Sequence, residues 1–286
     1  MKKNKVFSYA MILLVYAFAL LVGVAIYLSL FDELKMWLAL LIADTGATVL
    51  VFIFSLIFKN ASVYDPYWSV APIFILGLLL IGQALTPLKL VLFIIVTIWG
   101  VRLTANWAYC FGDLTCQDWR YTMLKEQTGK FYPVINLVGI HLVPTLVVYS
   151  CILPACFVIT SNSLNEHPMA YALLGVSLLA VALQGTADYQ MQRYRKNKTS
   201  RFIRVGLWKY SRHPNYLGEI LMWWGVGGAC AIANPSMWFL LLGALINTML
   251  FAFVSIPMAE KRQAKKEGFL EYKKETNYLL PIKIKK

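Results

Sequence analysis

Charged side chains are scarce in this sequence: only 14% of its 286 residues are charged, whereas 59% are hydrophobic. Soluble globular domains carry about 25% charged residues. Apolar runs long enough to cross a hydrocarbon core of roughly 30 Å recur along the chain. The scarcity of charge therefore argues against a soluble protein and predicts an all-α, polytopic membrane helix bundle.

Motifs that would indicate a familiar chemistry are also missing. The five cysteines form neither a C-x-x-C pair nor a zinc-ligand spacing, so we expect packing residues, with no disulfide and no metal site. The sequence has no G-x-G-x-x-G after a strand, no P-loop, no H-E-x-x-H and no G-x-S-x-G. These absences argue against a Rossmann-held dinucleotide, a zinc protease and an α/β-hydrolase.

The apolar runs predict eight transmembrane helices in a single integral-membrane domain, residues 1–286. The helices are expected over residues 6–30, 36–58, 68–85, 88–111, 131–160, 168–195, 216–233 and 235–258. The first run is longer than the core of a signal peptide, and no small-residue cleavage site follows it. We therefore expect it to be a retained helix.

The basic residues support this count through the positive-inside rule. With eight helices and both termini in the cytoplasm, all but two of the 27 Lys and Arg residues fall on cytoplasmic segments, the exceptions being Lys35 and Lys89. We therefore interpret the net charge of +13 as a topology signal that favours contact with anionic membrane lipids. It does not indicate a nucleic-acid partner. The host would be a bacterial inner membrane or the endoplasmic reticulum.

Polar residues concentrate on the cytoplasmic side, most densely in Gly206–Gly225, GLWKYSRHPNYLGEILMWWG. Ionisable groups at the mouth of a hydrophobic helix are costly unless they bind something polar. The segment places five candidate ligand-binding side chains there: Arg212, His213, Asn215, Tyr216 and Glu219.

The predicted sixth helix carries a polar stripe on one face, because its members follow helical spacing. They are Gln184, Asp188, Gln192 and Arg195. A plainer explanation for Asp188 is an ion pair with Arg195 or Arg193.

The loop after this helix is rich in cations that suit a pyrophosphate or a ribose phosphate, namely Lys198, Arg201 and Arg204. Trp208 is suited to stacking on a flat heterocycle. Together with the polar stripe and Gly206–Gly225, the loop predicts a cytoplasm-facing pocket for a phosphorylated nucleotide.

A further polar group, Tyr64, Asp65 and Tyr67, lies between the second and third helices. Asp65 precedes Pro66, so an ordinary turn residue is one explanation. The alternative is a carboxyl group that faces a lipid-accessible cavity and donates a proton, with Tyr64 or Tyr67 polarising a carbonyl.

The order R-H-P-N-Y-x-G-E, from Arg212 to Glu219, resembles the steroid 5-alpha-reductase family. The resemblance covers about residues 60–286 and is greatest for bacterial-type relatives, which share the W-G-x-R-L and D-W-R-Y segments. It implies NADPH as the cofactor and assigns Asn215, Tyr216 and Glu219 to its nicotinamide end. The remaining cofactor positions that it implies are Gln184, Asp188, Arg195, Arg201 and Tyr272.

The same resemblance implies that Asp65, seven residues before Pro72, is the catalytic acid. Trp99 stands where the family has its catalytic Tyr, which makes a steroid substrate a weaker expectation than reductase chemistry itself. The expected function is reduction of a carbon–carbon double bond conjugated to a carbonyl, in a 3-oxo-4-ene steroid-like or polyprenyl lipid.

Two other functions stay open. The shorter pattern R-H-P-x-Y-x-G also resembles the isoprenylcysteine carboxyl methyltransferases, which implies S-adenosylmethionine as cofactor. Since that cofactor has no phosphate, the basic loop favours the reductase. The second is a sterol-binding membrane protein that does not catalyse a reaction. The argument for it is that Trp99 stands where the family has its catalytic Tyr.

Overall fold

The protein is helical in the computed structural model, which describes residues 4–197 and 200–281. Within these ranges, eight helical segments are long and apolar enough to cross a membrane, which confirms the predicted architecture of an integral multi-pass membrane protein. The same ranges contain no β-strand, only an isolated bridge between Ser211 and Asn277. The cytoplasmic location of both termini stays a prediction.

Most helices begin and end close to their predicted bounds. In chain order they are α1 (Lys5–Leu30), α2 (Met36–Phe58), α3 (Tyr67–Leu80), α4 (Pro87–Cys110), α5 (Trp119–Thr128), α6 (Tyr132–Ile135), α7 (Val143–Thr160), α8 (Pro168–Asn197), α9 (Pro214–Ala233), α10 (Leu242–Leu250), α11 (Ile256–Gln263) and α12 (Phe269–Glu275). Proline opens α4, α8 and α9, because its fixed φ suits the first helical position and its missing N–H has no partner to lose there.

Two crossings contain a wide π-helical turn, at Asn136–Leu142 and at Phe251–Ser255. A proline follows each turn, Pro144 and Pro257. The proline ring clashes with the carbonyl four residues earlier, and that residue lies inside the π turn in both cases. The backbone accommodates the clash by widening. The first of these crossings extends over Trp119–Thr160 and includes helix α5.

The chain divides into two compact units, which are described separately. The first comprises the chain up to Leu85 together with Val96–Thr160, and the second comprises Thr86–Ile95 together with the chain from Ser161 onward. The expected single domain stays a prediction.

The first unit has an apolar core in which tyrosine hydroxyls bond to nearby acceptors. Tyr16 on α1 donates to the carbonyl of Val63 at 2.5 Å. Tyr64 lies 2.7 Å from the hydroxyl of Thr145, which in turn lies 2.9 Å from that of Thr48. These contacts satisfy polar groups that have no water partner in hydrocarbon.

The second unit is built on close packing between α8 and α9. A Cβ atom at Gly225 would overlap the hydroxyl of Ser177 and the carbonyl of Leu173, and one at Gly218 would overlap Gln184. Small residues at such interfaces let two helix backbones approach. Ser177 Oγ uses this proximity to donate to the carbonyl of Met222 at 3.0 Å.

We expect Gly225→Ala to destabilise this helix pair, because the added methyl group has no space. Overpacking of this kind costs about 1–3 kcal/mol in free energy of unfolding. The melting temperature of detergent-purified protein measures the effect. Gly175→Ala on α8 is the matched control, since its Cβ would meet nothing within 4 Å. Equal melting temperatures for the two variants would contradict the packing role of Gly225.

Candidate functional site

The predicted site residues fall into two groups, one in each unit. The cofactor candidates all lie in the second unit. They are found in the last part of α8, at the start of α9 and in the segments that follow these helices. The catalytic candidates Tyr64, Asp65 and Tyr67 lie in the first unit.

Glu219 and Gln184 are brought together in the second unit. Glu219 is buried in the first part of α9, where it accepts a hydrogen bond from the side-chain amide of Gln184 on α8. Its other oxygen accepts from the indole N–H of Trp223 at 2.8 Å. Sequence reasoning missed Trp223, although its position four residues after Glu219 places both on one helix face. A carboxylate held by two donors in this way is fixed in orientation.

The first turn of α9 presents a stacked pair of rings and an unused acceptor. The rings of His213 and Tyr216 lie parallel, with centroids 5.2 Å apart and an interplanar angle of 3°. Asn215 Oδ1 is buried and has no hydrogen-bond partner among the described residues. An unpaired buried acceptor costs free energy, so this atom is suited to accept a hydrogen bond from a ligand.

Arg212 is directed at the C-terminal tail of the protein. Its Nε donates to Glu260 Oε1 at 2.7 Å, and another guanidinium nitrogen donates to the backbone carbonyls of Lys273, at 2.9 Å, and Thr276. The Lys273 ammonium lies 2.7 Å from the other oxygen of Glu260. His213 Nε2 lies 3.5 Å from Glu260, at the outer limit of hydrogen bonding.

Trp208 and Tyr272 also donate hydrogen bonds to backbone carbonyls of the protein. The indole N–H of Trp208 donates to the carbonyl of Ala187 at 3.1 Å, and the hydroxyl of Tyr272 donates to the carbonyl of Trp208. Burial raises the pKa of Tyr272 to about 12, so the hydroxyl stays a donor at neutral pH. The observed contacts of Arg212, Trp208 and Tyr272 hold the tail in place; their direct contact with a cofactor stays a prediction.

The remaining cofactor candidates are less enclosed. Asp188 is half-buried on α8, and Arg195 is exposed near the end of that helix. Arg201 is exposed and forms an ion pair with Glu267. Lys198 lies outside the described residues. The structure therefore supplies exposed cations near the end of α8 without closing them around a pocket.

The catalytic candidates of the first unit have three different partners. Asp65 is half-buried and accepts a hydrogen bond from the hydroxyl of Tyr121 on α5. Tyr64 bonds to Thr145, as described above, and Tyr67 donates to Asp44 Oδ1 at 3.2 Å. Asp65 is thus paired with a tyrosine that sequence reasoning did not single out. The D-W-R-Y segment, which ends at Tyr121, was the sequence feature that could have identified this tyrosine.

Trp99 is fully buried and packs against Trp68, with ring centroids 5.9 Å apart. Its indole fills core volume in the first unit. Among the described residues, no three His, Cys, Asp or Glu side chains cluster in a way that would hold a metal ion.

A family model described as "Protein of unknown function (DUF1295)" matches residues 51–276. The chain belongs to this family. DUF1295 lies in the steroid 5-alpha reductase-like superfamily, so the broader resemblance is confirmed, and the narrower one to the steroid reductases themselves stays a prediction.

An uncharacterised protein of Schizosaccharomyces pombe is 25% identical to this DUF1295 protein over 227 residues. The aligned region covers 69% of this chain and 63% of the relative, so it spans less than two thirds of the relative's length. No solved structure matches.

We expect Arg212→Lys to destabilise this DUF1295 protein. A lysine keeps the positive charge, but it cannot donate hydrogen bonds to Glu260 and to the tail carbonyls at the same time. Loss of hydrogen bonds to a charged donor costs about 2 kcal/mol. Melting temperature and the rate of tryptic cleavage after Lys273 and Lys274 measure the effect. Arg204→Lys is the control, since its ion pair with Glu275 is largely exposed. Similar cleavage rates in both variants would contradict the anchoring role of Arg212.

Proposed function

We propose that this protein is an NADPH-dependent reductase of a carbon–carbon double bond conjugated to a carbonyl in a membrane lipid. The observation that carries the proposal is the arrangement at the start of α9. There the buried Glu219 is held by Gln184 and Trp223, and Asn215 Oδ1 is a buried acceptor that lacks a partner among the described residues. A nicotinamide carboxamide has the N–H groups that such acceptors need.

The residues present fit such a cofactor. Asn215 and Glu219 would accept hydrogen bonds from the carboxamide, and Tyr216 would contact the flat ring. Arg195 and Arg201, both exposed cations, would pair with phosphate groups. NADPH, when bound, supplies a hydride. Membership of the steroid 5-alpha reductase-like superfamily agrees with this assignment without deciding it.

The proposal assigns the proton to the Asp65 carboxyl group. Tyr121, which donates to Asp65 Oδ1, would orient the carboxyl, leaving Oδ2 to hold the proton that balances the added hydride. A positioned acid contributes typically 10²–10⁴-fold to such a reaction. The active site would face the cytoplasm, and the substrate would enter from the bilayer.

Two alternatives make different predictions about ligands. An isoprenylcysteine-type methyltransferase would bind S-adenosylmethionine at the R-H-P-x-Y-x-G pattern. A sterol-binding protein without turnover would bind neither cofactor. For the latter, the buried Trp99 in place of a catalytic tyrosine is the specific observation.

We expect NADPH, but not S-adenosylmethionine, to raise the melting temperature of the purified protein. A ligand at 100 times its Kd stabilises the folded state by about 2.7 kcal/mol. Asn215→Ala and Glu219→Gln should abolish this shift while the proteins stay folded. Asn162→Ala and Glu271→Gln are controls at exposed positions of the same unit. A shift in melting temperature with S-adenosylmethionine alone would favour the methyltransferase. No shift with any cofactor would favour the sterol-binding protein without turnover.

Asp65→Asn should bind NADPH with unchanged affinity and lose turnover of a lipid enone by about 10²–10⁴-fold, because the amide is a far weaker acid. Tyr121→Phe should lower turnover less, since the carboxyl group remains. Oxidation of NADPH, followed by its absorbance, measures the rate. Asp32→Asn, at an exposed position of the first unit, is the control. Full activity of Asp65→Asn would show that the proton comes from another group.

A further inference from the structure

A row of polar side chains follows one face of the crossing that contains α6 and α7 in the first unit. This polar row consists of Tyr132 in α6, Asn136 and His141 in the π turn, and Thr145 in α7. Its members are four, five and four positions apart. Residues four apart share a face of an α-helix, and the wider π turn takes about one residue more. The four side chains therefore line up.

Three atoms of the polar row are buried acceptors that the protein does not use. Tyr132 Oη, Asn136 Oδ1 and His141 Nε2 have no hydrogen-bond partner among the described residues. Asn136 is 2% exposed and His141 is 0% exposed. His141 Nδ1 lies 2.9 Å from the carbonyl oxygen of Asn136, so Nδ1 carries the ring hydrogen and Nε2 is an acceptor. Buried acceptors without a donor are destabilising, so three in one short stretch indicate a bound donor.

The inner part of the polar row faces the interior of the first unit. The side-chain amide of Asn136 donates to Ser55 Oγ on α2 at 3.3 Å. The ring of His141 lies beside that of Tyr64, with centroids 4.6 Å apart. The hydroxyl of Tyr64 in turn lies 2.7 Å from that of Thr145. The row therefore ends at a tyrosine that is one of the catalytic candidates.

The outer part of the polar row reaches the surface beside α5. Tyr132 packs against the cluster that contains Tyr121, the tyrosine that donates to Asp65. The ammonium group of Lys125, an exposed residue, lies 5.9 Å from the centre of the Tyr132 ring. The row thus connects an exposed segment with the buried Tyr64.

Water is the donor that fits this row. Tyr132 and His141 are nine positions apart, which is about 13 Å along a helix. A hydrogen bond to oxygen spans only about 2.8 Å, so one small molecule cannot serve all three acceptors. Buried waters typically bond to polar groups that the protein leaves unsatisfied. Several waters in series would satisfy the row.

We propose that the polar row is a hydrated path that carries protons from the surface near Tyr132 to Tyr64. His141 Nε2 takes up a proton from a water on the outer side and returns it to a water on the inner side. Each water passes one proton on and receives another, so the path is unchanged after every transfer. The purpose of the path rests on the proposed function: it replaces the proton that reduction consumes, at the sequence neighbour of Asp65.

Radiolytic footprinting of the protein in lipid nanodiscs, without cofactor, tests whether the path holds water. X-rays convert bound water to hydroxyl radicals, and mass spectrometry locates the side chains that they oxidise. His141 should be oxidised several times faster than Tyr149. Tyr149 is the matched reference, because it is buried in the same crossing but its hydroxyl already donates to the carbonyl of Trp37. Tyrosine is the more reactive side chain of the two, so the comparison is conservative.

Two variants separate the path from packing. Asn136→Leu removes an acceptor from the middle of the row and should lower the oxidation of His141. Ser55→Ala is the matched control, since it removes the protein partner of Asn136 and keeps every acceptor of the row. Oxidation of His141 should therefore persist in Ser55→Ala.

NADPH oxidation with a lipid enone tests the proton transfer. His141→Phe should lower kcat about 10²-fold, the lower end of the range for positioned proton transfer, and leave the KM for NADPH unchanged. Its solvent deuterium isotope effect should also increase, because proton supply becomes slower. Phe52→Leu is the control, since it changes the packing on the same imidazole ring but keeps Nε2.

Oxidation of His141 no faster than that of Tyr149 would overturn the hydrated path, and this result needs no variant to fold. Unchanged kcat and isotope effect in folded His141→Phe would overturn its role in proton supply. If the protein binds and consumes no NADPH, the reductase proposal fails. The footprint still decides whether the path holds water in that case, because it is measured without cofactor.

Discussion

The buried ion pair between Arg212 and Glu260 determines the arrangement of the second unit. Both side chains are less than 10% exposed, and removing charges from water is repaid only when every remaining donor and acceptor is satisfied. The tail carbonyls and Lys273 supply those partners. The pair thereby fixes the start of α9, the end of α11 and the tail after α12 relative to one another. The orientation of the first turn of α9, with Asn215 and Tyr216, depends on this arrangement.

The two units satisfy their buried polar groups by different means. The second unit uses charge, with cations and carboxylates paired around the start of α9 and the C-terminal tail. The first unit uses neutral hydroxyls, as in the contacts of Tyr16, Tyr64 and Thr145. Asp44 and Asp65 are exceptions in the first unit, since each is a carboxyl group that accepts a hydrogen bond from a tyrosine hydroxyl.

The eight crossings were predictable because the length and apolarity that a crossing requires are local properties of the sequence. The proximity of Gln184 to Glu219 was implied by the family resemblance. The partner of Arg212 was not predictable, since Glu260 lies 48 residues away and basic residues near a membrane are ordinary. Tyr121 was missed as the partner of Asp65 for the same reason, since the two are separated by 56 positions in the sequence.

The π turn at Asn136–Leu142 sets the rotational phase of the crossing that contains it. An α-helix rotates about 100° per residue, and a π turn accommodates one residue more than an α turn. The side chains of α6, which runs directly into the turn, are consequently rotated by about that angle relative to an uninterrupted helix. A loss of one residue in this turn would thus turn α6 about its axis relative to α7 without changing the sequence of either helix.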